Sequence, residues 1–319
     1  MRSILRPCIA TAVLLAVCTA VQAADEPVVM VLNKKVFIMN RPEDVMPQAQ
    51  EVADMVGERI GRKLIMKTCS EDISSVLDDL KSGGVQFVWS DGLDFARLKL
   101  GKLAPGVVTT PLQVAILVAS TAPVDIRGQK PGFSRTVVLV RNDPKITSIA
   151  DLKGKRLVYG RLSEMDCSML FLENALHDQG VAKKEGFFGN VRRLSCEDAC
   201  LISLQRGSAD VTCMVEDTFF GKTTVAPSLA NDFKVLQGSE FYPAYVCFYL
   251  KDKVPADLVE KMRAQLMELH QTTKGRMLMD IFTVRQFVAM PEDSMKPVEK
   301  LLSAVAPDQG APARPESLP

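Results

Sequence analysis

A short polar loop with the sequence SEMDCS carries four side chains that could do chemistry. It lies between a predicted strand and a predicted helix. The hydroxyls of Ser163 and Ser168, together with the N–H groups of a helix start, could hold a small anion. Glu164 and Asp166 oppose an anion, because like charges about 4 Å apart near a protein surface repel by roughly 4 kcal/mol. The loop therefore predicts a ligand site, and an anion is disfavoured there unless the acids point away.

Catalytic patterns are missing from the sequence. It contains neither a G-x-S-x-G nucleophile elbow nor a G-x-x-x-x-G-K-[ST] phosphate loop. His177 and His270 are the only histidines, which disfavours a His-rich metal site or a Ser-His-Asp hydrolase. The net charge of +1 disfavours nucleic acid as a partner. We therefore expect a non-enzymatic protein that binds a small molecule, with no cofactor and no metal.

The N-terminus predicts export. Arg2 and Arg6 precede an apolar run, Cys8–Cys18, that is too short to span a bilayer. Val21 and Ala23 then supply small residues at positions −3 and −1 of a cleavage site. We expect a signal peptide over residues 1–23 and a periplasmic protein. The alternatives are an uncleaved anchor and a lipoprotein modified at Cys18, although the residue before that cysteine is large for lipidation.

Six cysteines remain after this segment, and an even number in an oxidising compartment favours disulfide bonds. A turn at Gly207 should pack the helix that holds Cys200 beside the strand that holds Cys213, so we expect these two to pair. Cys167 and Cys196 both begin predicted helices and form a second candidate pair. The competing interpretation is a metal site, perhaps for copper, because thiolates and the fifteen methionines suit that metal.

Strands and helices alternate in the same order twice, over about 28–90 and again over about 156–215. The pattern predicts an α/β fold with two similar Rossmann-like lobes, each with a mainly parallel sheet and helices on both faces. Strands that cross between the lobes would leave a ligand cleft, lined by the loops at the carboxyl ends of the strands. These loops are Thr68–Asp72, Ser90–Phe95, Arg161–Ser168, Leu194–Asp198 and Glu216–Phe219.

The order of segments along the chain follows from the same pattern. After the signal peptide we expect a first lobe, a crossing segment, a second lobe, a return strand with C-terminal helices that pack on the first lobe, and a Pro-rich disordered tail. The corresponding ranges are 24–118, 119–140, 141–243, 244–306 and 307–319.

Four stretches carry a resemblance to a known family. They are VVLVRNDPKITSIADLKGKRLVYG at Val137–Gly160, LDDLKSGGVQFVW at Leu77–Trp89, LISLQRGSADVTCMVED at Leu201–Asp217 and FYPAYVCFYLKDKVPADLVEKM at Phe241–Met262. Through them the chain resembles, over about 28–300, the substrate-binding proteins of phosphate, phosphite and phosphonate ABC transporters. These are type 2 periplasmic binding proteins. The resemblance implies a monomer that delivers a small ligand to a membrane transporter.

The resemblance is weakest at the ligand-binding positions. Members that hold phosphonates often present S-T-S-G where this chain has Glu164 and Asp166. Ile73 and Phe95 stand where relatives often place ligand-facing tyrosines. If both face the cleft, it has lost hydrogen-bond donors and gained apolar surface; the alternative is that they face the core.

We therefore expect a ligand with a large apolar part, lipid-like or sterol-like. The alternatives are a phosphite, phosphate or phosphonate carrier and an accessory protein that handles a metal. The candidate ligand-binding residues are Ile73, Asp91, Phe95, Ser163, Glu164, Asp166, Ser168, Glu216 and Phe219.

Overall fold

A computed structural model describes residues 26–37, 40–104, 106–122, 130–161, 163 and 166–304. The predicted signal peptide, Cys18, Glu164 and the Pro-rich tail lie outside these residues. Within them, no helix is long and apolar enough to cross a membrane.

The described residues form strands and helices that alternate along most of the chain. The strands are β1 (Val28–Asn33), β2 (Leu64–Cys69), β3 (Phe87–Asp91), β4 (Lys102–Ala104), β5 (Val107–Val108), β6 (Val114–Thr121), β7 (Thr136–Arg141), β8 (Arg156–Tyr159), β9 (Asn190–Arg193), β10 (Val211–Val215), β11 (Phe233–Gly238), β12 (Tyr245–Leu250) and β13 (Gln286–Val288). The helices are α1 (Pro42–Ile60), α2 (Leu77–Ser82), α3 (Gly92–Leu100), α4 (Cys167–His177), α5 (Lys184–Phe187), α6 (Glu197–Gln205), α7 (Glu216–Val225), α8 (Leu229–Asp232), α9 (Ala256–Glu268), α10 (Thr273–Ile281) and α11 (Lys296–Ala304).

Two large sheets form the two lobes. The sheet of the first lobe has the strand order β13-β6-β12-β3-β1-β2, and that of the second has the order β11-β7-β10-β8-β9. In each lobe three strands run parallel, β1 with β2 and β3, and β8 with β9 and β10. The predicted α/β fold with two lobes is confirmed.

The sheets are mixed rather than mainly parallel. β12 runs antiparallel to both β3 and β6, and β7 runs antiparallel to both β10 and β11. The physical reason is that these strands reach their sheet from the other lobe. They are therefore not preceded by the crossover helix that a parallel neighbour requires. β6 ends in the first sheet and β7 begins in the second, and the chain returns between β11 and β12.

Apolar side chains cover both faces of each sheet and explain why these segments fold as they do. The strand Val137–Val140 is completely buried, with its side chains alternating between the two faces of the second sheet. In α1 the residues spaced three or four apart, such as Val45, Ala49 and Val52, pack on the first sheet.

The last described helix, α11, contacts both lobes. Its Glu299 accepts a hydrogen bond from Lys99 of α3 at 2.8 Å, and the carbonyl of Leu301 accepts one from Asn174 of α4 at 2.9 Å. The Leu301 side chain packs against the cores of both lobes.

The predicted disulfide bonds are wrong, because all six cysteines in the described part of the chain are free. Cys200 and Cys213 belong to the cores on opposite faces of the second sheet, so the sheet separates their side chains. Cys213 donates to the carbonyl of Ser168 at 3.0 Å. Cys167 is buried against the core of the first lobe, whereas Cys196 is exposed.

Alkylation of the folded protein is expected to modify Cys196 first. The thiols of Cys167, Cys200, Cys213 and Cys247 are buried, and burial raises their pKa values, to about 12 for Cys200. Both effects suppress the reactive thiolate. Peptide mapping after timed alkylation under non-reducing conditions checks this expectation. A disulfide-linked peptide that joins Cys200 to Cys213 would contradict the structure.

Candidate functional site

A buried ion cluster lies at the carboxyl ends of β1 and β3 in the first lobe. The ammonium group of Lys35 is 3.0 Å from a carboxylate oxygen of Asp91 and 2.8 Å from one of Asp94. Ser90 donates to Asp94 at 2.6 Å. Burial lowers the pKa of Lys35, but the attraction of the two carboxylates outweighs it and leaves the pKa raised. Lys35 is therefore held as a cation within the protein.

Asp91 also fixes the start of α3. Its carboxylate accepts a hydrogen bond from the backbone N–H of Asp94 at 2.8 Å, which makes it the N-cap of that helix. The next residue is Gly92, and a Cβ atom there would lie 2.6 Å from the carbonyl oxygen of Pro243. Only glycine allows the chain just before β12 to approach the helix start this closely.

The second lobe presents a similar helix start. Asp166 is the N-cap of α4, and its carboxylate accepts a hydrogen bond from the backbone N–H of Ser168 at 2.6 Å. Glu197, at the start of α6, accepts hydrogen bonds from the N–H and the hydroxyl of Ser163 at 3.1 and 3.2 Å. Two capped helix starts, one from each lobe, thus face the space between the lobes.

A narrow cavity lies between these helix starts. Its lining comprises Asp91, Gly92 and Leu93 from the first lobe, Asp166, Cys167 and Val215 from the second, and Tyr242, Ala244 and Tyr245 from the stretch that leads into β12. Its volume is about 10 Å³. That is room for about one water molecule, so the lobes are close together in this structure.

Ion pairs hold the rim of this cleft. Arg161 of the second lobe pairs with Glu71 of the first and so connects the two lobes directly. Arg135 forms a two-pronged contact with Glu216, with N···O distances of 3.0 and 2.8 Å. Lys35, Arg135 and Arg161 are therefore each paired with a carboxylate of the chain itself.

Asp166, which lines the cavity, has an unusual protonation equilibrium. Burial raises its pKa to about 7, and the charges of Asp91 and Glu197 contribute in the same direction. The hydrogen bonds from Ser168 oppose the shift. Near neutral pH this carboxyl group exists both with and without its proton.

The structure brings together some of the residues that the sequence singled out. Asp91 and Asp166 line the same cavity, and Ser168 is fully buried one residue beyond the cavity wall. Ser163 is buried against Glu197, and Glu216 is buried against Arg135. Glu164 lies outside the described residues.

Ile73, Phe95 and Phe219 are buried in the protein core. Their side chains are 1%, 1% and 3% exposed. The ring of Phe95 packs edge-on against Phe248 with centroids 5.8 Å apart, and Phe219 packs with Phe220. The prediction of a lipid-like or sterol-like ligand rested on Ile73 and Phe95 facing the cleft. Both side chains lie in the core, so the reason for this prediction is wrong. Comparison with known proteins does not support such a ligand either.

Four residues with important contacts escaped the sequence analysis: Lys35, Glu197, Tyr242 and Tyr245. Lys35 follows the first strand and could have been noticed as a charged residue at a carboxyl end. Glu197 was inside a predicted cleft loop. The two tyrosines lie where the chain returns to the first lobe and enters β12, and the course of the chain between the lobes gives no local signal. Among the described residues, no group of His, Cys, Asp and Glu side chains is arranged to hold a metal ion.

Comparison with known families and structures places the fold. The family model of the ABC transporter phosphonate periplasmic substrate-binding protein matches residues 36–295. No curated protein matches the chain by sequence. The protein XAC2383 from Xanthomonas citri, solved with chloride, has a TM-score of 0.63 at 15% identity, covering 87% of this chain and 96% of its own.

A second similar structure is PhnD1 from Prochlorococcus marinus in complex with methylphosphonate. Its TM-score is 0.57 at 15% identity, and the match covers 88% of this chain and 99% of that one. A binding component of an ABC phosphonate transporter from Pseudomonas aeruginosa has a TM-score of 0.54 at 12% identity, covering 87% and 85%. At such low identity these structures support the fold alone.

Proposed function

Since the chain belongs to the family of periplasmic substrate-binding proteins of phosphonate ABC transporters, we propose that it captures a small phosphorus oxyanion between its lobes. The ligand class comprises phosphonates, phosphite and phosphate. The protein then delivers its ligand to the membrane subunits of an importer. Export by a signal peptide cleaved after Ala23 is part of this proposal.

The convergence of two helix starts on one cavity supports this ligand class. The N-terminus of a helix carries a partial positive charge, which favours anions. Here α3 contributes Gly92 and Leu93 to the cavity, and α4 contributes Cys167. The phenol of Tyr245 lies on the same wall and can donate a hydrogen bond to a ligand oxygen.

Capture requires the lobes to separate first. A cavity of about 10 Å³ is too small for any of these oxyanions, which carry three or four heavy atoms around phosphorus. Opening breaks the contact between Arg161 and Glu71, which joins the lobes at the rim. Hinge closure around a ligand is a common motion of periplasmic binding proteins.

Calorimetry of the purified protein with phosphite, phosphate and methylphosphonate tests the proposal. We expect at least one of them to bind at pH 6 with a Kd in the micromolar range or below. Replacing Tyr245 by Phe should weaken that binding about tenfold or more, because a hydrogen bond to a charged group is lost. Tyr249→Phe, on the same strand but outside the cavity, is the matched control and should bind normally.

Two results would contradict this proposal. One is the absence of binding for all three oxyanions at both pH 6 and pH 8. The other is binding that survives in full in Tyr245→Phe, because the ligand would then lie outside the cavity between the lobes.

A further inference from the structure

Asp166 occupies the place at α4 that an anion would take. Its carboxylate accepts the N–H of Ser168 at 2.6 Å, at the start of a helix of 11 residues. A carboxylate at this position is attracted by the helix dipole in the same way as a bound anion. Because Asp166 also lines the cavity between the lobes, its carboxylate and the proposed ligand compete for one position.

Ser168 holds Asp166 in this position. Its side chain is fully buried, and its backbone N–H donates to the carboxylate of Asp166 at 2.6 Å. Both the N–H and the hydroxyl of Ser168 stabilise the charged form of that carboxylate. The carboxyl group of Asp166 therefore stays at the cavity wall, where an entering anion would meet it.

The groups around Asp166 disfavour a second negative charge. Asp91 approaches from the start of α3 and Glu197 from the start of α6, and both act on Asp166 electrostatically. The negative charge of Asp166 also raises the pKa of four neighbouring groups, which are the phenols of Tyr242 and Tyr245 and the thiols of Cys167 and Cys213. Lys35, which lies near Asp91, is already engaged by Asp91 and Asp94.

We propose that Asp166 determines when this site accepts an oxyanion, because the ligand binds only after the carboxylate has taken up one proton. The inference rests on the function proposed above. The proton comes from the solvent and stays on the carboxyl group of Asp166. The resulting O–H can donate a hydrogen bond to the ligand oxygen that the charged carboxylate would repel.

The protonation behaviour of Asp166 makes such a step accessible at ordinary pH. Its pKa is about 7, chiefly because of burial. The protonated fraction therefore falls about 30-fold between pH 6 and pH 8.5. Oxyanion affinity that depends on this proton should fall by the same factor.

The variant Asp166→Asn tests the inference against the wild type. Asparagine is also a good N-cap, so α4 should form normally, and its amide imitates the protonated acid. The Kd of phosphite or methylphosphonate is measured for both proteins at pH 6 and pH 8.5. The ionisation of the ligand affects both proteins equally, so it cancels in the ratio of the wild-type Kd to the variant Kd. We expect this ratio to rise about 30-fold between pH 6 and pH 8.5.

Proton uptake gives a second readout. Calorimetry at pH 8 in two buffers of different ionisation enthalpy should show the wild type taking up close to one proton more than Asp166→Asn. Asp178→Asn, at the exposed end of the same helix, is the control and should behave as the wild type. If Asp166→Asn does not fold, Asp166→Ser replaces it, since serine also caps helices well.

The outcomes separate the two proposals. Oxyanion binding with a Kd ratio that does not change with pH, or weaker binding by Asp166→Asn at both pH values, overturns the role of Asp166 alone. No oxyanion binding by either protein overturns both proposals.

Discussion

Replacement of Lys35 by Met is expected to lower the free energy of unfolding by about 3–5 kcal/mol. Lys35 compensates two carboxylates, of which Asp94 is fully buried and Asp91 is 4% exposed. Removal of the ammonium group leaves Asp91 without its ion-pair partner and leaves Asp94 with only the 3.5 Å contact to Arg97, whereas methionine keeps the packing of the stem. Urea unfolding followed by the fluorescence of Trp89, the single tryptophan, measures the loss.

The pH dependence of this loss identifies its cause. Burial and the charge of Asp91 already raise the pKa of Asp94 above its ordinary value. Without Lys35 the pKa of Asp94 should rise further, so the penalty of Lys35→Met should be full at high pH and should shrink as the pH falls through that pKa. Adding Asp94→Asn should restore part of the stability.

Lys34 offers a matched control, because it is the neighbouring lysine and it is exposed. Lys34→Met should change the free energy of unfolding by less than about 0.5 kcal/mol. A loss below about 1 kcal/mol in Lys35→Met, or a loss equal to that of the control, would mean that the ion cluster does not support the fold as described.

Phe95→Ala is expected to destabilise the protein by about 3–5 kcal/mol without weakening ligand binding by the molecules that remain folded. Phe95 is 1% exposed and packs edge-on against Phe248, so its truncation leaves a cavity in the first lobe. Urea unfolding gives the stability, and calorimetry with the best oxyanion gives the affinity at a temperature where the variant is folded.

The control for this substitution is Phe241→Ala, since the Phe241 ring is 39% exposed. Phe241→Ala should lower the free energy of unfolding by less than about 1 kcal/mol, and this loss includes the contact of the ring with Arg135. A tenfold loss of affinity in Phe95→Ala, combined with near-normal stability, would mean that Phe95 contacts the ligand.

The sequence predicts the order of elements well because burial leaves a local pattern. The apolar runs at Thr136–Arg141 and Tyr245–Leu250 predict strands, since polar residues, Pro or Gly flank each run, and both strands have these bounds in the structure. Other elements escaped, among them β11 and α3. β11 lacks a continuous apolar run, and α3 was taken for a loop although Asp91 is a good N-cap.

The site was harder to predict because it depends on which strands are neighbours and which way side chains point. Lys35 meets Asp91 only because β1 and β3 are adjacent in the sheet. Cys200 and Cys213 are close in sequence, yet the sheet lies between them. In α3 the position of Phe95 on the buried face follows from the packing of β12 against that helix, which no local pattern reveals.

The position of β12 in the first sheet has a consequence for the order of folding. β12 lies between β3 and β6, although residues 136–238, which hold all five strands of the second sheet, come before it in the chain. The ribosome thus completes the second lobe while the first still lacks a central strand. Domains generally fold as units during or after synthesis. The lobe that is made second is therefore expected to fold first, and until β12 arrives the facing edges of β3 and β6 stay open to chaperones and to aggregation.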